Sequence, residues 1–196
     1  ALFAALPLLA DSDEPASTRW DHVKRCVTSY RFLAEPHVGA TDARVKAALV
    51  AVGFNAAGVA HLVALASPPD CTLVALRLAV SLLAGFPLAN AATIDALATA
   101  PTLQALGVAA RRDGETRGYM LLVIGECCDM APEASHPAVA AALLAAPAAA
   151  AAVAEAPLSG SAGELALNFA TIMARTVRLG PAGPARAAFA AGAASS

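Results

Sequence analysis

The residues of this sequence that could bind a metal ion are few and poorly spaced for that purpose. Cys127 and Cys128 are adjacent, so on a helix they point in different directions, unlike the two cysteines of a C-x-x-C pair that converge on one zinc ion. His22 and Cys26 are four residues apart and can share a helix face, but a closed zinc site normally needs four ligands. The spacing therefore predicts no metal site, and we interpret the cysteines as small core residues.

Nucleophilic and phosphate-binding motifs are equally scarce. Residues 159–163, SGSAG, place Ser161 in a sequence similar to a nucleophile elbow. The first glycine of G-x-S-x-G is missing, however, and an alanine-rich helix precedes it where a strand is required. Neither G-x-x-x-x-G-K-[ST] nor G-x-G-x-x-G, the loops that cradle phosphates, is present. We therefore predict a protein that is not an enzyme and has no cofactor.

The charged residues are sparse and nearly balanced. The formal net charge is -2, and lysine occurs only at Lys24 and Lys46, whereas a nucleic-acid-binding protein normally carries a basic stripe. This pattern predicts no binding to nucleic acid. The main charged cluster, residues 111–117 (RRDGETR), is interpreted as a solvated turn between helices. The four cysteines form no secreted disulfide framework, which favours a reducing compartment.

A membrane protein is the alternative from a different class, because the mean hydropathy is +0.62. Residues 47–66 are uncharged and long enough to span a bilayer. The next apolar run, residues 72–84, has Arg77 near its middle, which is costly in lipid, and neither run has flanking aromatic belts or basic clusters. We therefore predict no membrane association, and solubility without detergent distinguishes the two alternatives.

Alanine determines the class of secondary structure. It occupies 55 of the 196 positions, and aromatic residues make up only 5%. Because alanine is the strongest helix former, and because small side chains let helices approach closely, the composition predicts an all-α protein of stacked helices.

Internal repetition organises these helices. Three segments align without gaps, and each has an apolar stretch, a polar break and a longer apolar helix: residues 58–84, 102–128 and 144–170. Equivalent positions are Leu82, Glu126 and Asn168, at steps of 44 and 42 residues. Each unit is predicted to contain a short first helix, a second helix and a longer third helix.

Capping residues mark the predicted first helices. Thr41 opens a helix that runs to Gly58, and Asn90 caps a helix that stops at Pro101. In the third unit, Ser135 is a cap candidate for a helix that ends at Pro147.

At this point the sequence resembles the armadillo-repeat family, whose period is about 40–47 residues. The stretch from Ala47 to Gly85 is similar to a family repeat, with a small-residue turn (Ala56, Ala57, Gly58), the apolar residues Leu62, Val63 and Leu65, and the break Ser67-Pro68-Pro69-Asp70. The resemblance implies a right-handed α-solenoid of armadillo/HEAT-like repeats, part of a longer array. Its divisions are a partial repeat (1–40), three repeats (41–85, 90–130 and 135–178) and the start of another repeat or a tail (180–196).

In armadillo proteins the third helices line a concave surface that binds peptides or partner proteins. Peptide-binding members usually place Asn late in that helix and Trp four residues earlier. The Asn position is Leu82, Glu126 and Asn168 here, and the Trp position is Leu78, Leu122 and Glu164. Only Asn168 matches, so the resemblance does not carry nuclear-import peptide binding to this chain and implies a more apolar groove.

The resemblance therefore implies a non-catalytic scaffold or adaptor that binds partner proteins in the cytoplasm. The alanine-rich composition, and not the resemblance, suggests a cytoskeletal or ciliary assembly. The alternative within the family is an Hsp70-type chaperone cofactor that acts in nucleotide exchange. Leu78, Leu82 and Leu122 are core residues instead if the register differs by one residue. The predicted partner-binding residues are Leu78, Leu82, Tyr119, Leu122, Glu126, Glu164, Asn168 and Arg175.

Overall fold

The computed structural model describes residues 43–69, 71–89, 91–155 and 164–194. These residues are mostly helical and contain no strand, which confirms the predicted all-α class. The helices are α1 (Ala43–Val52), α2 (Ala56–Ala66), α3 (Leu73–Leu83), α4 (Phe86–Ala89), α5 (Ala91–Leu97), α6 (Ala100–Ala110), α7 (Gly114–Met130), α8 (His136–Leu144), α9 (Pro147–Ala154), α10 (Glu164–Leu179) and α11 (Pro184–Ala194).

The first turn of the described chain lies earlier than the sequence predicts. The helix expected to run to Gly58 ends at Val52, and α2 already begins at Ala56. Gly53 has a φ of 124°, a region that only glycine adopts readily. Asn55 then caps α2, because its Oδ1 accepts a hydrogen bond from the Gly58 N–H at 3.1 Å. The small-residue turn predicted at 56–58 is therefore the first turn of α2.

The later helix starts show which capping predictions hold. The predicted caps Thr41 and Asn90 lie outside the described residues. Ser135 immediately precedes α8, but its side chain makes no capping hydrogen bond. A short 3₁₀ turn, Glu133–Ser135, gives Ser135 helical angles, whereas a capping residue is normally extended, so the prediction of a Ser135 cap is wrong.

Helices with the same position in the predicted repeats pack side by side in chain order. The second helices α2, α6 and α9 pack as one row, and the third helices α3, α7 and α10 pack as another. α7, the central helix of the second row, therefore contacts α3 on one side and α10 on the other, and it also packs on α6. As a result its central residues, 120–125, are buried all round. This arrangement decides which side chains of α7 remain accessible.

The contact between α6 and α9 is made by backbone against backbone. A Cβ built at Gly107 would collide with main-chain atoms of Ala148 and Ala149. Gln104, one turn earlier on α6, accepts a hydrogen bond from the Ala148 N–H at 2.9 Å. Because α9 has no side-chain cap of its own, Gln104 satisfies one of the N–H groups left unpaired at its first turn.

The third unit has a different register from the one that the ungapped alignment predicts. α10 continues for 11 residues after Asn168, whereas α7 ends four residues after Glu126 and α3 ends one residue after Leu82. The positions equated by the sequence repeat are therefore not equivalent in the third unit.

The core is continuous from the first unit to the last. Phe54 and Phe86 pack with ring centroids 4.8 Å apart, and Phe169 and Phe189 extend the same core to α10 and α11. Cys127 and Cys128 are buried within it, as predicted for small core residues. Burial raises the pKa of both thiols, that of Cys128 to about 11, because the apolar surroundings disfavour the thiolate.

A helix that spans a bilayer is about 20 residues long and predominantly apolar. No single helix in the part of the chain that the structure describes is long and apolar enough to cross a bilayer. Residues Glu133–Leu144 and Pro147–Ala154 meet the criterion only as a pair, and the two parts are bent by 94° at the break.

Candidate protein-binding surface

One face of α7 carries several side chains that are exposed or half-buried. Its residues recur every three or four positions, which places them on one side of a helix. Glu115 and Asp129 have about half of their side-chain surface exposed, 49% and 48% respectively, and Tyr119 and Glu126 are half-buried between them. We call this set the α7 stripe: Glu115, Tyr119, Leu122, Glu126 and Asp129.

Two predicted groove residues lie in the core. Leu82 is 2% exposed, and Leu122, in the middle of the α7 stripe, is 8% exposed. Neither side chain offers a partner appreciable surface, so the expectation that these two leucines line an exposed groove is wrong. They are core residues, as the alternative register predicted, because neighbouring helices close over them. The stripe is consequently more polar than the apolar groove that the sequence implies.

The other predicted residues divide into two groups. Tyr119 and Glu126 lie together on the α7 stripe, and Arg175 lies on α10 beside its C-terminal end. The helical positions of Leu78, Glu164 and Asn168 are known, but their side chains lie outside the described part of the structure. Their role in partner binding stays a prediction.

An arginine from the preceding unit holds the N-terminal end of the stripe. Arg77 on α3 donates from Nε and Nη2 to the two carboxylate oxygens of Asp113, at 2.8 Å each. Its Nη1 lies 2.9 Å from Oε2 of Glu115. Such a bidentate ion pair fixes the relative orientation of the two side chains as well as their distance. Arg77 therefore fixes the start of α7 relative to α3.

Asp113 combines this ion pair with helix capping. Its Oδ2 accepts hydrogen bonds from the N–H and the Oγ1 hydroxyl of Thr116, both at 3.0 Å. The hydrogen bond from Arg77 is the main reason why the pKa of Asp113 lies well below its usual range, and the bonds from Thr116 lower that pKa further. The carboxylate is therefore charged at neutral pH, and it both caps α7 and pairs with Arg77 on α3.

A second arginine, from the following unit, holds the C-terminal end of the stripe. Arg175 on α10 places Nη2 3.3 Å from Oδ1 of Asp129 and Nη1 3.1 Å from Nε2 of His136. The same His136 nitrogen lies 3.0 Å from the carbonyl oxygen of Ala131. The acidic residues at both ends of the stripe are thus paired with arginines. Tyr119, which donates its hydroxyl to Glu115 at 3.2 Å, and Glu126 occupy the centre.

The charged cluster of residues 111–117 is only partly the solvated turn that the sequence predicts. Arg111 and Arg112 are exposed, but Thr116 is buried and the side chain of Asp113 is 15% exposed. Arg117 on α7 also contacts the following unit, because its Nη1 donates to the carbonyl oxygen of Glu155 at 3.3 Å. The cluster therefore ties neighbouring units together, because its members lie where successive units meet.

The contact between Arg77 and Asp113 was missed by sequence reasoning because 36 residues separate its members. One signal was available: Asp113 precedes a helix, and Thr116 three residues later completes a capping pattern. No group of three or more His, Cys, Asp or Glu side chains in the described ranges is arranged to hold a metal ion. What the stripe can do chemically is recognition, through a tyrosine ring, a carboxylate and ordered ion pairs.

In comparisons with known proteins, no family model, no curated protein and no solved structure matches the chain.

Proposed function

We propose that this protein is a non-catalytic scaffold or adaptor that binds partner proteins through the surface of its third helices. The observation that carries the proposal is the α7 stripe, where Tyr119 and Glu126 are half-buried and flanked by paired charges. Tyrosine and arginine are the side chains that most often dominate protein interfaces. Arg77 and Arg175 are already ordered by their partners, so little side-chain entropy is lost when another protein binds.

The proposed architecture is an armadillo-like right-handed α-solenoid. Support comes from the two rows of equivalent helices that pack in chain order, because each unit of a solenoid contacts mainly its neighbours. The repeat length in the sequence supports the same proposal. Such an array presents a continuous surface of third helices to a partner, and we place it in a cytoplasmic assembly.

Charge reversal at the centre of the stripe tests this function. We expect Glu126→Lys to reduce the recovery of a stoichiometric partner from the organism's own extract by about tenfold, since an unfavourable charge at a well-packed interface costs on the order of 1–2 kcal/mol or more. The measurement is affinity capture of the full chain followed by quantitative mass spectrometry. Circular dichroism checks that helicity is retained.

Asp95→Lys is the matched control, because Asp95 is exposed and lies on α5, outside the α7 stripe. It makes the same kind of charge change, so recovery of the partner should stay at the wild-type level. Equal recovery with wild type, Glu126→Lys and Asp95→Lys would place the interface elsewhere. Equal losses in both variants would indicate a general effect of net charge.

A further inference from the structure

The break between α2 and α3 contains a distinctive dipeptide. Ser67 is followed by Pro68, and no other serine or threonine in the chain precedes a proline. Ser67, Pro68 and Pro69 are all exposed, directly after the end of α2. Ser67 itself has helical angles, φ −77° and ψ −33°, and the helix ends there because Pro68 has no N–H to continue its hydrogen bonds. An exposed serine followed by proline is the substrate pattern of proline-directed protein kinases.

A groove beside Ser67 contains a fixed positive charge. The groove lies between the ends of α2 and α6, has a volume of about 370 Å³ and is lined by residues that include Ser67, Pro68, Val108 and Arg112. Arg112 donates from Nη2 to the carbonyl oxygen of Cys71 at 2.7 Å and from Nη1 to that of Pro68 at 3.4 Å. The guanidinium therefore lies beside the residue that follows Ser67, and both of these bonds are to main-chain carbonyls.

We propose that Ser67 is a phosphorylation site and that Arg112 binds the phosphate. In the transfer, Ser67 Oγ bonds to the γ-phosphorus of ATP held by a proline-directed kinase, and the bond from that phosphorus to the ADP oxygen breaks. The hydroxyl proton passes to the base of the kinase, and ADP leaves. The product is a phosphoserine with a charge of about −1.5 to −2 at neutral pH.

Two features of the local structure favour rotation of the phosphate toward Arg112. The unmodified Ser67 hydroxyl donates to the carbonyl oxygen of Val63 at 2.6 Å. Phosphorylation removes that donor, and the negative end of α2 repels the dianion. A phosphate–guanidinium contact is a strong, charge-assisted hydrogen bond, so it replaces the two carbonyl contacts of Arg112. The modification thus acts where the first two units meet, between the end of α2 and the turn from α6 to α7.

The first experiment measures modification of the folded full-length chain. A proline-directed serine/threonine kinase and ATP are added, and peptide mass spectrometry locates the phosphate. We expect one phosphate on Ser67, its complete loss in Ser67→Ala and a strong reduction in Pro68→Ala, with unchanged circular dichroism. No incorporation into the wild type, or equal incorporation into Pro68→Ala, would overturn the proposed site.

The second experiment tests Arg112 on the phosphorylated protein, by phosphorus NMR over a pH series. An exposed phosphoserine has a second pKa near 6. We expect a lower value in the wild type, because a neighbouring guanidinium favours the dianion, and a return to about 6 in Arg112→Gln. Arg111→Gln is the control, because Arg111 is exposed but does not line the groove. The same pKa in wild type and Arg112→Gln would contradict the role of Arg112.

Discussion

Replacing Gly107 by alanine should destabilise the protein by about 2–3 kcal/mol, as expected for added atoms in a tightly packed contact. The direction is opposite to helix propensity, which favours alanine over glycine by about 1 kcal/mol inside a helix. The reason is steric: the new Cβ would collide with the backbone of Ala148 and Ala149. Rigid main-chain atoms cannot move aside as a flexible side chain can, so α6 and α9 must separate. Urea unfolding followed by circular dichroism measures the effect.

Gly114→Ala provides the control for this substitution. Gly114 begins α7, and a Cβ built there meets no atom within 4 Å. The same change should leave stability unchanged or raise it by about 0.4–1 kcal/mol, because alanine restricts the unfolded chain more than glycine does. Equal stabilities for Gly107→Ala and the wild type would contradict the backbone contact between the second and third units.

The second large effect is expected at Asp113. Asp113→Ala removes both the cap of α7 and the carboxylate that Arg77 binds, so the free energy of unfolding should fall by about 1–2 kcal/mol from capping alone. Asp113→Asn keeps one capping oxygen but removes the charge and one of the two oxygens that Arg77 binds, so its loss should be smaller than that of Asp113→Ala. Part of Arg77 is exposed to solvent, which weakens the ion pair. Urea unfolding of the three proteins at neutral pH makes the comparison.

The pH dependence separates the two roles of Asp113. Its pKa is lower in the folded protein than in the unfolded chain, so the charge contributes stability above the unfolded value of about 4. The contribution disappears as the pH falls below that value toward the folded pKa. The stability difference between wild type and Asp113→Asn should therefore shrink below about pH 4. A difference that stays constant through this range would show that the charge of Asp113 does not stabilise the fold.

Local chemistry explains which features of the fold were predictable. Alanine content and apolar periodicity predict the helices, and the helix breaks fall at recognisable prolines, glycines and capping residues. The start of α2 was misplaced because Gly53 and Asn55 form the turn, while Ala56 and Ala57 are equally acceptable in a turn or a helix. In the third unit, α9 (PAAAAAVA) has few large residues to fix an alignment, so the register of α10 could not be deduced.

The candidate surface was predictable only in part, because its contacts join residues that are distant in sequence. Tyr119 and Glu126 share a face of α7 through helical periodicity, which a sequence does reveal. Burial of Leu82 and Leu122 depends on how closely the neighbouring helices pack, and periodicity alone does not determine that distance. The contact of Arg77 with Asp113 depends on the stacking of two units. Nothing in the sequence distinguishes Gly107, which packs closely against a neighbouring backbone, from a small residue without such a contact.

The most direct test of partner binding through the third helices is site-specific photo-crosslinking in the organism's own extract. A photoreactive phenylalanine analogue replaces Tyr119 on the α7 stripe or, in a second protein, Val108, which is 51% exposed on α6 in the second-helix row. We predict that a protein partner is crosslinked from position 119 and not from position 108. Crosslinking of that partner from position 108 alone, or equally from both positions, would contradict the proposed surface.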